Sequence, residues 1–91
     1  MGQYYLKHDI KIEEARNLLK DLKAKKITKP KTENEFNVSN LFVICKTNTK
    51  LVDIKYCPHL DYYFNYGDKK IPDNYIEWYY LDNGWEIIKK N

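Results

Sequence analysis

Arginine, glycine, proline and cysteine are all scarce in this chain of 91 residues. Three glycines and three prolines are too few for a low-complexity or linker-like segment. Two cysteines are too few for the disulfide framework of a small secreted domain. A single arginine stands beside fifteen lysines, so the residue best suited to bidentate phosphate and guanine contacts is nearly absent.

Signals for export or membrane insertion are also missing. No run approaches the roughly 18 apolar residues that a membrane-spanning helix needs. Residues 1–5 lack the basic region and apolar run of a signal peptide. We therefore expect a cytoplasmic protein that does not associate with membranes.

The composition that remains is typical of one globular domain. Hydrophobic residues make up 43% of the chain and charged residues 32%, and the length suits a single domain over residues 1–91. Nine tyrosines, three phenylalanines and two tryptophans predict a core rich in aromatic rings. Lysine, asparagine, isoleucine and tyrosine together supply 42 residues, and their A/T-rich codons indicate a low-GC bacterium, its phage or a plasmid.

Hydrophobic periodicity predicts an N-terminal amphipathic helix over residues 11–25. Five apolar residues fall on one helical face: Ile12, Ala15, Leu18, Leu19 and Leu22. Acidic residues in the first turn and lysines in the last turn match the helix dipole. Asp9 and Lys11 are both candidates for the N-cap. Before the helix, residues 3–8 suit a short strand, and after it residues 26–40 suit a loop or extended crossover.

Alternating polarity then predicts a first hairpin from residues 41–47 and 50–57. A two-residue turn at Asn48 and Thr49 would gather the apolar residues on one face, whereas a three-residue turn would set Cys45 opposite Asp53. We therefore expect the two-residue turn. It aligns Cys45 with Val52, Val43 with Ile54, and Leu41 with Tyr56.

A second hairpin is predicted from residues 75–81 and 85–90, because Asn83-Gly84 is a favoured type I′ turn. In that hairpin Trp78 and Trp85 share the face that we place against the core, under the helix. Residues 58–67, between the hairpins, fit either a helical turn or a short strand. The sequence thus predicts an α+β fold, with the helix packed on an antiparallel sheet of four to five strands.

Residues that could perform chemistry do not form a convincing site. Cys45, Cys57, His8 and His59 have donor atoms for zinc, but their spacing matches no compact zinc motif. In the expected register the two cysteines point to opposite faces, which disfavours both a metal site and a disulfide. Cys57, His59 and Asp61 alternate as a nucleophilic site would on a strand, but no oxyanion-hole signal accompanies them. We expect no catalytic activity, no metal and no cofactor.

Residues 20–31 form a basic segment that could neutralise phosphates. It contains one aspartate and six lysines: Lys20, Lys23, Lys25, Lys26, Lys29 and Lys31. A solubilising surface explains the same lysines, and the shortage of arginine argues against base recognition. At most we expect weak, unspecific nucleic-acid binding here, which makes a small nucleic-acid-binding or regulatory protein the alternative function.

The excess of tyrosine points more strongly to protein binding. Nine tyrosines exceed what a core of this size can bury with every hydroxyl bonded, and acidic residues surround several of them. The predicted binding surface comprises Tyr62, Tyr63, Tyr66, Asp68, Asp73 and Tyr79. We expect a non-enzymatic protein that occupies a surface of a partner, and a basic, nucleic-acid-handling protein is one candidate for that partner. A phage or mobile-element inhibitor of a host defence complex, such as an anti-CRISPR protein, is one concrete form. The oligomeric state stays open.

Overall fold

A computed structural model describes residues 2–7, 9–32, 34–35, 40–57, 73–82 and 84–90. In chain order the elements are β1 (Gly2–Lys7), β2 (Ile10–Lys11), α1 (Ile12–Asp21), β3 (Lys25–Ile27), β4 (Leu41–Lys46), β5 (Leu51–Tyr56), β6 (Tyr75–Tyr80) and β7 (Trp85–Lys90). Among the described residues, no helix has the length and apolar character needed to cross a membrane.

Helix α1 packs its apolar face on the sheet, as the periodicity predicts. Ala15, Leu18 and Leu19 are buried, and the acidic residues of the first turn lie at the positive end of the helix dipole. The N-cap is Lys11, whose side chain makes no capping hydrogen bond. Asp9 instead adopts a left-handed conformation, with φ of 57°.

The helix ends at Asp21, four residues earlier than predicted, because a Schellman motif closes it. The Ala24 N–H donates to the Leu19 carbonyl at 2.9 Å, and the Lys23 N–H donates to the Lys20 carbonyl at 2.9 Å. Lys23 adopts φ of 62°, a conformation that usually calls for glycine. Residues 20–31 contain no glycine, so no sequence signal marked the C-terminal end of the helix.

Five strands form an antiparallel sheet in the order β2-β5-β4-β6-β3. The predicted α+β fold, with an N-terminal helix on an antiparallel sheet, is therefore confirmed. The interpretation of residues 26–40 as loop or crossover needs correction at its start, because β3 pairs with β6 at the sheet edge. Lysines on β3 suit an edge strand, since their charge discourages pairing with another chain.

The first hairpin forms, but its predicted register is wrong by one residue. Ile44 lies opposite Ile54, and Cys45 lies opposite Asp53, which is the register of the longer turn. The Asn48 side chain explains this, because its Oδ1 accepts from the Lys50 N–H at 2.9 Å and the Leu51 N–H at 2.8 Å. These bonds hold a wider loop than the expected two-residue turn.

The two-residue turn was expected because it gathers the apolar residues of the hairpin on one face, but both faces of the sheet are buried, so this argument does not apply. The face under α1 carries a core of nine buried residues, Ala15, Leu18, Leu19, Leu22, Ile44, Val52, Ile54, Tyr79 and Leu81. The opposite face carries a second core of Leu41, Val43, Cys45, Cys57 and Trp78. Trp78 is thus buried as predicted, but it lies on the face away from the helix. The placement of Trp78 under the helix is wrong, because Tyr79 occupies that face.

The second predicted hairpin is replaced by a long-range pairing. β6 has β4 on one side and β3 on the other, while β7 pairs in parallel with β1 in a separate two-stranded sheet. Gly84, with φ of 84°, lies between β6 and β7 as the turn prediction requires, and its carbonyl accepts from the Gly2 N–H at 3.4 Å. The chain therefore turns near Gly84 but leads β7 to β1 rather than back along β6.

Candidate functional site

The predicted tyrosine surface falls largely outside the described residues. Tyr62, Tyr63, Tyr66 and Asp68 lie there, so their role in binding stays a prediction. Asp73 is described and exposed, next to the start of β6. Tyr79 is only 6% exposed and packs with the helix, on the face where the sequence analysis placed Trp78. The helix covers that face because the first core forms there.

The Tyr79 hydroxyl instead joins an ion-pair cluster between α1 and the sheet. It donates to Glu77 Oε2 at 2.7 Å, and Arg16 Nε donates to Glu77 Oε1 at 2.7 Å. Lys26 Nζ approaches Glu77 Oε2 at 3.7 Å, and Arg16 also bonds Glu13 at 2.8 Å. The side chain of Glu77 is 8% exposed, so the cluster compensates a nearly buried carboxylate.

Opposing effects act on the pKa of Glu77. Burial raises the pKa, but hydrogen bonds from Arg16 and Tyr79 and the charges of Arg16 and Lys26 lower it more, leaving it below the ordinary value. The pKa of Tyr79 rises to about 12, first through burial and then through its bond to ionised Glu77. Glu77 therefore stays ionised and Tyr79 stays neutral at physiological pH.

This cluster connects the helix to the sheet rather than presenting groups to a ligand. Both oxygens of the Glu77 carboxylate have partners within the chain. The sole arginine of the chain is used here, which leaves no guanidinium for recognition elsewhere. We therefore regard the cluster as structural.

The cysteine positions also differ from the prediction, because the shift of one residue between β4 and β5 turns Cys45 and Cys57 to the same face of the sheet. Cys45 and Cys57 are both fully buried in the second core, on one face of the sheet. The expectation that they point to opposite faces is therefore wrong. Burial, followed by the nearby cysteines, raises the pKa of Tyr75 to about 12. Of the residues weighed for nucleophilic chemistry, Cys57 is inaccessible, and His59 and Asp61 lie outside the described residues.

A surface that the sequence did not reveal lies where β7 approaches the open end of the β4–β5 hairpin, opposite its turn. An open groove of about 380 Å³ is present there, and we call it the aromatic groove. Its lining residues are Asn40, Phe42, Tyr56, Leu81, Glu86, Ile87 and Ile88. The rings of Phe42 and Tyr56 pack edge to face with centroids 6.1 Å apart. Tyr56 is 45% exposed, so much of its ring remains available for contact.

Carboxylates lie beside this apolar surface. Glu86 is exposed at the groove and accepts a hydrogen bond from Gln3 Nε2 at 3.4 Å. Asn40, another lining residue, donates to Asp82 Oδ1 at 3.2 Å. The Tyr80 hydroxyl donates to Asp82 Oδ2 at 3.1 Å, which further fixes the Asp82 carboxylate. The groove thus combines an apolar lining with acidic groups.

Sequence reasoning missed the aromatic groove for two structural reasons. The register shift pairs Tyr56 with Phe42 instead of Leu41. The pairing of β7 with β1 then brings Ile87 and Ile88 to the groove instead of to β6. The only sequence signal was the general excess of aromatic residues.

All six lysines of the basic segment are exposed, on the C-terminal turn of α1, on β3 and just after it. Lys20 lies in α1, and Lys25 and Lys26 lie in β3, so regular secondary structure carries half of these lysines. Lys26 contributes to the Glu77 cluster, while Lys20, Lys23 and Lys25 are exposed.

Within the described ranges, no three histidine, cysteine, aspartate or glutamate side chains are grouped to hold a metal ion. Comparison of the chain with protein-family models, with curated proteins and with solved structures found no match. Inference about function therefore rests on the surfaces of this chain alone.

Proposed function

We propose that this chain is a non-enzymatic binding protein that recognises another protein through the aromatic groove. The observation that carries the proposal is the half-exposed Phe42–Tyr56 pair beside Ile87 and Ile88. Aromatic side chains are enriched in the buried centres of protein interfaces, where they provide large contact areas at a low entropic cost. The groove combines such a centre with polar groups at its margin.

The charge of the groove defines the chemistry of the partner. Glu86 and Asp82 favour a basic segment, and the apolar lining favours an aliphatic or aromatic anchor within it. Such a segment would associate faster at low salt, because opposite charges steer the encounter. Proteins that handle nucleic acids present basic surfaces of this kind.

The proposed mode of action is occupation of a functional surface on the partner. The excess of residues with A/T-rich codons suits a low-GC bacterium, its phage or a plasmid, and for a phage or mobile element an inhibitor of a host defence complex of the anti-CRISPR type is a suitable role. Inhibition by occupation needs binding affinity but no catalytic group.

The test begins with a partner captured from the source cell by the wild-type chain and then purified. Tyr56→Ala should weaken its binding about 30-fold, the loss expected for an interface residue worth about 2 kcal/mol. Tyr5→Ala is the matched control, because Tyr5 is 60% exposed but does not line the groove. Equal affinities of wild type and Tyr56→Ala would show that the groove is not the binding site.

The surface predicted around residues 62–73 enters the same titration as a separate variant. Tyr62→Ala combined with Tyr63→Ala tests whether that surface contributes to binding. A loss with this variant but not with Tyr56→Ala would favour the surface predicted from sequence over the aromatic groove.

A further inference from the structure

The lysine surface is a second interaction surface of distinct composition. We define it as Lys20, Lys23, Lys25, Lys26, Lys29 and Lys31, all exposed. Asp21 is the only acidic residue within residues 20–31. The surface runs from the end of α1 onto the edge strand β3, and three of the six lysines, Lys20, Lys25 and Lys26, lie within these elements.

Carboxylates offset part of this positive charge, since Glu77 approaches Lys26 and Glu35 Oε2 accepts from the Lys31 backbone N–H at 2.6 Å. Lys20, Lys23 and Lys25 form no ion pair with a described residue. Glu77 is the acidic group nearest to Lys26, but it is buried and already bonded to Arg16 and Tyr79. The 3.7 Å separation between Lys26 Nζ and Glu77 Oε2 is longer than the 2.7 Å hydrogen bonds that Arg16 and Tyr79 donate to this carboxylate.

The helix end also leaves the lysines accessible. The carbonyls of Leu18, Leu19 and Lys20 accept backbone hydrogen bonds from Leu22, Ala24 and Lys23. Each of these carbonyls therefore has a backbone partner, and the lysines around this helix end are exposed.

We propose that the lysine surface binds the phosphate backbone of nucleic acid without reading its sequence. Lysine is depleted in the centres of protein–protein interfaces, whereas interfaces with nucleic acid are strongly positive. A lysine ammonium binds phosphate as a point charge. Arginine is better suited than lysine to bidentate recognition of guanine, and the sole arginine is held by Glu77. Phosphate contact without base recognition follows from this division of roles.

The proposal is independent of the aromatic groove, since the lysine surface and the groove share no residue. A chain that fails to bind a protein through Tyr56 could still bind nucleic acid through its lysines. The two proposals are therefore separated by their variants.

Fluorescence anisotropy with a labelled single-stranded oligonucleotide, and with its duplex, tests the proposal. Binding should weaken steeply as salt rises from about 50 to 200 mM, because bound phosphates release counterions. With about five phosphates contacted, the slope of log K against log salt should be about −3.5 for the single strand. Oligonucleotides of different sequence should bind alike.

The decisive variant replaces Lys23, Lys25 and Lys31 by glutamine, which spares Lys26 and the Glu77 cluster. Loss of three phosphate contacts should weaken single-strand binding on the order of 100-fold at 0.1 M salt and reduce the slope by about 2. The matched control replaces Lys46, Lys50 and Lys55, three exposed lysines of the β4–β5 hairpin, with the same change in net charge. The control should retain most of the binding.

Unfolding midpoints of both triple variants should match that of the wild type, so that any loss reflects binding. An equal loss in the two variants would overturn the proposal, since net charge and not this surface would then explain binding. Tighter binding of a polyglutamate probe than of the oligonucleotide would assign the lysine surface to an acidic protein instead.

Discussion

Val43 and Ile44 are neighbours in the central strand β4, and neither has exposed surface although they point to opposite faces. In a sheet with one buried face, truncation of only one of them would be costly. Here Val43→Ala removes two carbons, worth about 1.6 kcal/mol of transfer free energy, and Ile44→Ala removes three, worth about 2.4 kcal/mol. Cavity formation adds to both values, which brings Ile44→Ala into the range of about 2–5 kcal/mol.

Urea unfolding followed by tryptophan fluorescence measures these losses as shifts of the midpoint at constant slope. A domain of this size has a free energy of unfolding of about 5–14 kcal/mol, so both variants should remain folded but clearly destabilised. Ile76→Ala is the matched control, because Ile76 is 40% exposed and undergoes the same chemical change as Ile44. A cost below about 0.5 kcal/mol for Val43→Ala or Ile44→Ala would refute the two-faced core.

Three further predictions concern charge and backbone conformation. Because the pKa of Tyr79 is raised to about 12, the native state retains a proton that the unfolded state loses above pH 10, so the free energy of unfolding should fall between pH 10 and 12. Tyr79→Phe should reduce that fall when the urea midpoint is measured over a series of pH values. Because the pKa of Glu77 is lowered from 4.5, its stabilising effect is present above that pH and is lost as the pH falls below it. If Glu77→Gln loses as much stability as the wild type when the pH is lowered through this range, the reasoning is wrong. Lys23→Gly should raise the free energy of unfolding by up to about 1 kcal/mol in thermal unfolding, because Lys23 has φ of 62°, which glycine adopts at lower cost. Lys20→Gly, within the helix, is the control and should lower it by a similar amount.

The helix and the general fold class could be predicted because their signals are local. The apolar face of α1 repeats with the helical period, and the acidic first turn marks its beginning. Its end could not be predicted, because Lys23 takes the position where the Schellman motif normally has glycine. The strands β4, β5, β6 and β7 were all expected from their alternating residues, with bounds close to those observed.

The candidate sites could be predicted only in part. Exposure of the six lysines follows from their charge, and the structure adds their placement on an ordered edge. The aromatic groove could not be derived, since it depends on Tyr56 facing Phe42 and on β7 lying beside them. Tyr79 was assigned to the binding surface because the sequence analysis placed Trp78, and not Tyr79, on the face under the helix; the structure buries Tyr79 there.

Sequence by itself determined the helix and the strands β1, β4, β5, β6 and β7, because propensity and period act over a few residues, but it did not indicate the short strands β2 and β3. Tertiary structure alone decided how the strands pair. Alternation of apolar and polar residues specifies the register of a hairpin only where one face of the sheet is buried. Here both faces are buried, so the hydrogen bonds of the Asn48 side chain in the loop set the register of β4 and β5 instead. The parallel pairing of β1 with β7 joins the two ends of the chain, and no local pattern encodes a partner at that separation. Since β3 and β4 occupy both edges of β6, β7 must pair elsewhere.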